Sequence, residues 1–168
     1  MTLKPKMENS RLWAPWRISY VSKENKQKKC IFCQNVKSKK ENDFVVFINK
    51  YSFCLLNIYP YNNGHLMVSP KKHVKDLSQL NKEELLDLFS CLDKAKKLLE
   101  STLKPDGFNI GINLSRSAGA GIPGHIHIHI VPRWNGDTNF MPVVAKTKVI
   151  SQSLSELHKL LKKAYAKS

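Results

Sequence analysis

Apolar positions fall into short β-rich runs from Phe44 onward, interrupted by two longer stretches at helical spacing. FVVFINK (Phe44–Lys50) and FCLLNIY (Phe53–Tyr59) are separated by Tyr51-Ser52 and predict a hairpin. YPYNNG (Tyr59–Gly64) is turn chemistry, and HLMVSP (His65–Pro70) predicts a third strand closed by its proline. Leu85, Leu88, Phe89, Leu92, Ala95, Leu99 and Leu103 then recur at three- and four-residue steps. Asn81, with Glu84 three residues on, forms an N-cap box for that helix, and Pro105-Asp106-Gly107 ends it. FNIGINL (Phe108–Leu114) predicts a strand, SRSAGAGIPG a small-residue loop, and HIHIHIV (His125–Val131) another strand. A last helix starts at Ser153-x-x-Glu156 and carries Leu154, Leu157, Leu160 and Leu161 into a Lys-rich tail. Strands that follow one another closely, one long helix and a terminal helix make an α+β domain with an antiparallel-dominated sheet. The pattern does not order the strands.

Residues 1–43 show no sustained period and read as an irregular basic arm on a single domain whose regular part is residues 44–168. The arm has two islands, RLWAPWR (Arg11 to Arg17) and CIFC (Cys30 to Cys33). A 168-residue chain at 42% hydrophobic residues has enough apolar material for one core. No stretch reaches the ~20 apolar residues that span a bilayer, and the first twenty residues hold no apolar core of a secretory leader. Four cysteines are too few for a disulfide scaffold, so the expected location is the cytoplasm. Charge changes the picture only a little: 28 Lys+Arg against 13 Asp+Glu leave +15, but only four of the cations are Arg. Scattered Lys reads as a solvated surface, or as a positive field that concentrates an anionic substrate. Without Arg clusters or aromatic stacking motifs, no nucleic-acid partner is expected. Cys54 and Cys91 read as buried thiols and His158 as a surface residue. Trp13 and Trp16 read as packing residues and Trp134 as a rim residue.

The feature that packing does not explain is His125-Ile-His127-Ile-His129. In a strand these histidines share one face and Ile126, Ile128 and Ile130 the other, with the imidazoles roughly 7 Å apart. Burying that face for packing alone would strand polar nitrogens. Two chemical readings remain open on spacing. The three imidazoles jointly bind a catalytic metal, or one is a nucleophile that its neighbours orient.

The triad of alternating histidines resembles the histidine triad (HIT) superfamily of nucleotide hydrolases and transferases. So does LLNIYPYNNGHLMVSPKKH, in which Asn57 stands eight residues before His65 and a Pro-Lys-x-His pattern ends at His73. The RLWAPWR arm, the CIFC pair and PRWNGDTNF resemble the branch named for diadenosine tetraphosphate phosphorylase and its fragile-histidine-triad-like relatives. The resemblance implies a five-stranded antiparallel sheet with a long central helix and a C-terminal helix, and a homodimer or larger oligomer. It implies that His127 attacks an α-phosphorus and becomes transiently nucleotidylated. His129 would contact the α-phosphate and the leaving side, and His65 would support the nucleophile from the adjacent strand. Asn57 would contact the ribose and Asn113 would lie near the phosphates. The loop at Gly119 and Gly121 would bring backbone N–H groups onto phosphate oxygens, since this chain carries Ala and Gly where the fragile histidine triad hydrolase has polar side chains.

Cys30 and Cys33 have CxxC spacing, and His73 and His125 could complete a soft S2N2 set for structural zinc, an arrangement that several HIT branches resemble. A redox dithiol and plain burial are the alternatives. The implied activity is phosphorolysis or hydrolysis of a dinucleoside polyphosphate through a nucleotidyl-histidine, with no organic cofactor and no membrane. A metal-dependent phosphohydrolase or a non-enzymatic nucleotide sensor is the competing reading.

Overall fold

The chain divides into two units, Gln27–Asp137 with Ile150–Ser168, and Met1–Lys26 with Thr138–Val149. The computed structural model describes residues 30–37, 44–138, 144 and 150–167, so almost all of the second unit, RLWAPWR and both its tryptophans included, lies outside the described residues. The first unit is a five-stranded sheet under two helices. Its strands are β1 (Val45–Ile48), β2 (Ser52–Leu56), β3 (Leu66–Pro70), β4 (Gly107–Ile112) and β5 (Ile128–Arg133). Every neighbouring pair is antiparallel, in the order β1-β2-β3-β5-β4. Among the described residues no helix is long and apolar enough to cross a membrane.

Alternation along the strands makes two cores. Cys54, Leu56, Leu66, Val68, Ile126, Ile128 and Ile130 face the long helix α2 (Lys82–Leu103) and the terminal helix α3 (Leu154–Tyr165). Leu88, Cys91, Leu92, Ala95 and Leu99 of α2, with Leu157 and Leu161 of α3, complete that larger core. A smaller cluster gathers Phe53, Leu55 and Met67 around Phe32. Asn81 caps α2 with its side chain on the Glu84 N–H, and Glu84 answers on the Asn81 N–H, as the sequence predicts. The helix ends at Lys104, whose left-handed φ of 49° closes it just before the predicted Pro-Asp-Gly. Ser153 caps α3. Cys54 and Cys91 are fully buried, and burial pushes both thiols up, Cys91 to about 12.

Three expectations are corrected. The arm is not irregular throughout, because Ile31–Lys37 form a helix, α1, whose Phe32 is buried in the smaller core. A seven-residue helix has little stability of its own, so docking on the sheet decides what propensity leaves open. The triad strand starts at Ile128 rather than His125: the Ile126 N–H donates to the Val74 carbonyl at 2.7 Å, outside the β3 ladder. The alternation survives this change of partner, with Ile126 in the same core as Ile128 and Ile130. His158 is not a plain surface residue: its Nε2 bonds the Val45 carbonyl at 2.9 Å and its ring meets Phe44.

Gly64, just before His65, has a φ of +78°. A Cβ there would sit 2.9 Å from Cγ of Pro132 and 2.6 Å from the Leu103 side chain. The leucine can move aside but the proline ring cannot, and a left-handed L-residue costs about 1–2 kcal/mol by itself. Gly64→Ala is therefore expected to cost about 2–3 kcal/mol, roughly 5–10 °C in melting temperature. A melt within 2 °C of wild type would show that the turn relaxes freely.

Candidate functional site

Register places the histidine row. His129 pairs with Met67 on β3 and Gly111 on β4, so it lies on the sheet face of the smaller core, away from α2. His127 is buried on that face, with its ring centroid 4.9 Å from that of His129. Phe32 covers the row, its ring 4.8 Å from that of His127 and 5.1 Å from that of His125. The apolar residue between the two cysteines therefore roofs the histidines, which the reading of CIFC as a ligand pair overlooks. Burial holds His127 below the ordinary imidazole range, partly offset by its bond to a carbonyl.

Hydrogen bonds fix which nitrogen carries each proton. His127 Nδ1 lies 2.9 Å from the His125 carbonyl oxygen, which can only accept, so Nδ1 donates and the lone pair is on Nε2. The Tyr61 backbone N–H donates to His65 Nδ1 at 3.1 Å. With neutral rings the His65 proton is then on Nε2, which donates to His129 Nδ1 at 2.9 Å, and the proton of His129 is on Nε2. The row thus pairs a lone-pair nitrogen on His127 with an N–H on its neighbour His129. Asn57 is committed locally, its Nδ2 3.3 Å from His65 Nδ1 and its Oδ1 accepting from the Tyr59 N–H.

Tyr61 is held by a network that the motifs did not reveal. Asp137 accepts from Arg133 Nε at 2.6 Å and Nη2 at 2.9 Å, from the Trp134 N–H, and from Asn62 Nδ2 at 2.8 Å. Asn62 in turn accepts the His65 N–H on its carbonyl. The only sequence signal was Asp137 four residues after an Arg, which is too common to single out. Trp134 bonds the Lys104 carbonyl through Nε1 and ties the end of β5 to the end of α2.

The loop behaves only partly as expected. Gly119 adopts a φ of +88°, but its N–H donates to the Arg116 carbonyl and that of Ala120 to the Ser115 carbonyl. Two amides expected on phosphate oxygens are thus taken up by the loop's own turns. Gly121 is exposed. Asn113 is half-buried, one residue past Ile112, the partner of Ile128.

The row divides chemically at His125. Its Nε2 donates to the Pro70 carbonyl at 2.8 Å, which turns the Nδ1 lone pair the other way. There it meets Cys30 Sγ at 3.3 Å, Cys33 Sγ at 3.6 Å and His73 Nδ1 at 3.2 Å. Cys33 Sγ is also 3.3 Å from His73 Nδ1, and all four donor atoms lie within 4.8 Å of one another. Around tetrahedral zinc such edges run roughly 3.3–3.8 Å, so the donor set fits that ion. The carbonyl bond behind His125 is the outer support such a ligand needs. Among the described residues this is the one cluster of ligand-type side chains that converges, and the competing reading, a metal shared by His125, His127 and His129, has no such cluster behind it.

Comparison with known proteins gives the family. Residues 38–136 match the HIT domain model. A Mycobacterium tuberculosis protein named AP-4-A phosphorylase is 36% identical over 165 residues, covering 94% of this chain and 85% of its own. A Schizosaccharomyces pombe asymmetrical bis(5'-nucleosyl)-tetraphosphatase is 36% identical over 93 residues, 55% of this chain and 50% of its own. The crystal structure of a Zn-bound histidine triad family protein from Mycobacterium smegmatis superposes with a TM-score of 0.67 at 28% identity, over 83% of this chain and 95% of that one. The chain belongs to the HIT domain family.

Proposed function

We propose that this HIT-family enzyme cleaves dinucleoside polyphosphates by nucleotidyl transfer through His127, with inorganic phosphate as acceptor. The observation that carries the reading is the bond from His127 Nδ1 to the His125 carbonyl, which leaves Nε2 as the lone-pair nitrogen beside His129. Nε2 attacks the α-phosphorus: a P–N bond forms and the P–O bond to the rest of the chain breaks. His129 Nε2–H donates a hydrogen bond to the departing oxygen and stabilises the negative charge that develops there, and the proton on His65 Nε2 keeps His129 in register. In the second half, a phosphate oxygen attacks the nucleotidyl phosphorus, the P–N bond breaks and its electron pair returns to His127 Nε2. Diadenosine tetraphosphate then gives ATP in the first half and ADP in the second. Asn57 orients His65 and contacts the ribose, and Asn113 and the loop at Gly121 line the phosphates.

Phosphate rather than water is favoured because the AP-4-A phosphorylase matches over 94% of this chain and the tetraphosphatase over 55%. Incubation of the pure protein with diadenosine tetraphosphate is expected to yield ADP and ATP only when phosphate is present. AMP and ATP without phosphate would make it a hydrolase. Cys30, Cys33, His73 and His125 hold structural zinc, which ties α1 to the approach of the triad strand. The chain works as a cytoplasmic homodimer in this reading. Leu86, Phe89 and Ile110 leave apolar surface on α2 and on the edge strand β4.

A further inference from the structure

A cavity of about 480 Å³ opens beside the triad approach, lined by Lys75, Asp76, Leu114, Ser115, Arg116 and Pro123. Its lining comes from segments that adjoin those paired with Ile126 and Ile128. Lys75 follows Val74, whose carbonyl accepts the Ile126 N–H, and Leu114–Ser115 follow the end of β4, where Ile112 pairs with Ile128. Lys75 and Arg116 are exposed and form no ion pair among the described residues. The one carboxylate in the lining, Asp76, accepts from the Ser78 N–H at 2.9 Å as a cap, and the bonds to Ser78, with a smaller contribution from the charge of Lys75, hold its pKa down. Ser115 is a non-glycine residue at a φ of +67°, a strained conformation of the kind that persists where a loop is over-determined. It presents its hydroxyl within 3.1 Å of that of Ser117. Two exposed cations against one carboxylate, the Ser115 hydroxyl and a volume suited to a ligand larger than a simple ion make an anion receptor with room for several phosphates.

We propose that this cavity receives the distal phosphates of the substrate, the part of the polyphosphate chain beyond the scissile bond. The inference rests on the reading of the chain as a dinucleoside polyphosphate enzyme and adds the group that selects for chain length. A nucleotidyl ester with no distal phosphates leaves Lys75 and Arg116 unused, whereas a tetraphosphate engages both. Arg116 offers the planar fork that phosphate oxygens accept bidentately, and Lys75 a point charge across the cavity.

The test uses inorganic tripolyphosphate as probe, with the full chain and the variants Lys75→Ala, Arg116→Ala and the double. Both side chains are exposed, so folding is preserved and is checked by thermal melt. Calorimetric titration is expected to show tripolyphosphate binding about tenfold weaker in the double variant. The ratio of kcat/KM for diadenosine tetraphosphate to that for the p-nitrophenyl ester of AMP is expected to fall by a similar factor. A double variant with tripolyphosphate affinity and ratio both unmoved overturns the cavity assignment, even if the wild type is an active phosphorylase. A wild type that turns over no dinucleoside polyphosphate, yet loses tripolyphosphate affinity with Arg116, supports the anion site and overturns the functional reading instead.

Discussion

Replacing His127 by alanine is expected to lower kcat on diadenosine tetraphosphate by at least about 10³-fold, because the nitrogen that forms the new bond is gone. The fold should survive, since the neighbouring Ile126 and Ile128 anchor the segment in the larger core and Phe32 packs on His125 as well. His129→Ala should behave differently. Its share is a hydrogen bond to the leaving oxygen, a contribution of about 10²–10³, and the bond from His65 to it shows how that N–H is held in place. On the p-nitrophenyl ester of AMP, whose leaving oxygen delocalises its charge into the ring and needs the hydrogen bond less, the His129 defect should shrink while the His127 defect persists. Intact-mass measurement after a quench, in the absence of phosphate, should find the added nucleotidyl group on wild type and none on His127→Ala. Turnover of His127→Ala within tenfold of wild type would sink the assignment.

The parts of this protein that were legible beforehand are those in which one residue type repeats against a geometric period. The α2 face, its Asn81–Glu84 cap and the His/Ile alternation were readable because burial on one side forces the pattern. The insertion of β5 between β3 and β4 was not, because strand order depends on pairings between segments about 60 residues apart. The convergence of Cys30 and Cys33 with His73 and His125 was legible only through resemblance. Spacing alone leaves a dithiol open, and what decides the geometry is Phe32 docking the cysteine helix on the sheet. Phe32, Tyr61, Asn62 and Asp137 were missed for a common reason: each acts through a ring contact, a backbone N–H or a carboxylate network, none of which leaves a trace in residue spacing. The same holds for the loop amides, since whether Gly119 donates inward or outward depends on a turn that its sequence permits but does not require.

Loss of the metal cluster is expected to have the largest effect on stability. Without an ion, the Nδ1 lone pair of His125 faces His73 Nδ1 at 3.2 Å with two thiols beside them. The His125 ring cannot turn away without breaking its bond to the Pro70 carbonyl, and burial already pushes its pKa down to about 4, so a proton does not readily replace the cation. An ion filling the cluster stabilises the folded chain alone, by several kcal/mol in structural zinc sites. At about 2–4 °C per kcal/mol for a chain of this size, Cys33→Ser or chelation should lower the melting temperature by about 10 °C or more. The loss should reach the histidine row through α1. Phe32 lies between the two ligand cysteines and also covers His127, so releasing the cysteines loosens the roof over the proposed nucleophile. Activity should accordingly decline together with the near-ultraviolet circular dichroism signal of the packed aromatic rings, and return with both when zinc is restored. Elemental analysis gives the metal content at each stage. A fully zinc-depleted chain with an unchanged melt would refute the structural role. Activity that vanished on chelation while the circular dichroism signal stayed whole would place the metal at the reacting atoms instead.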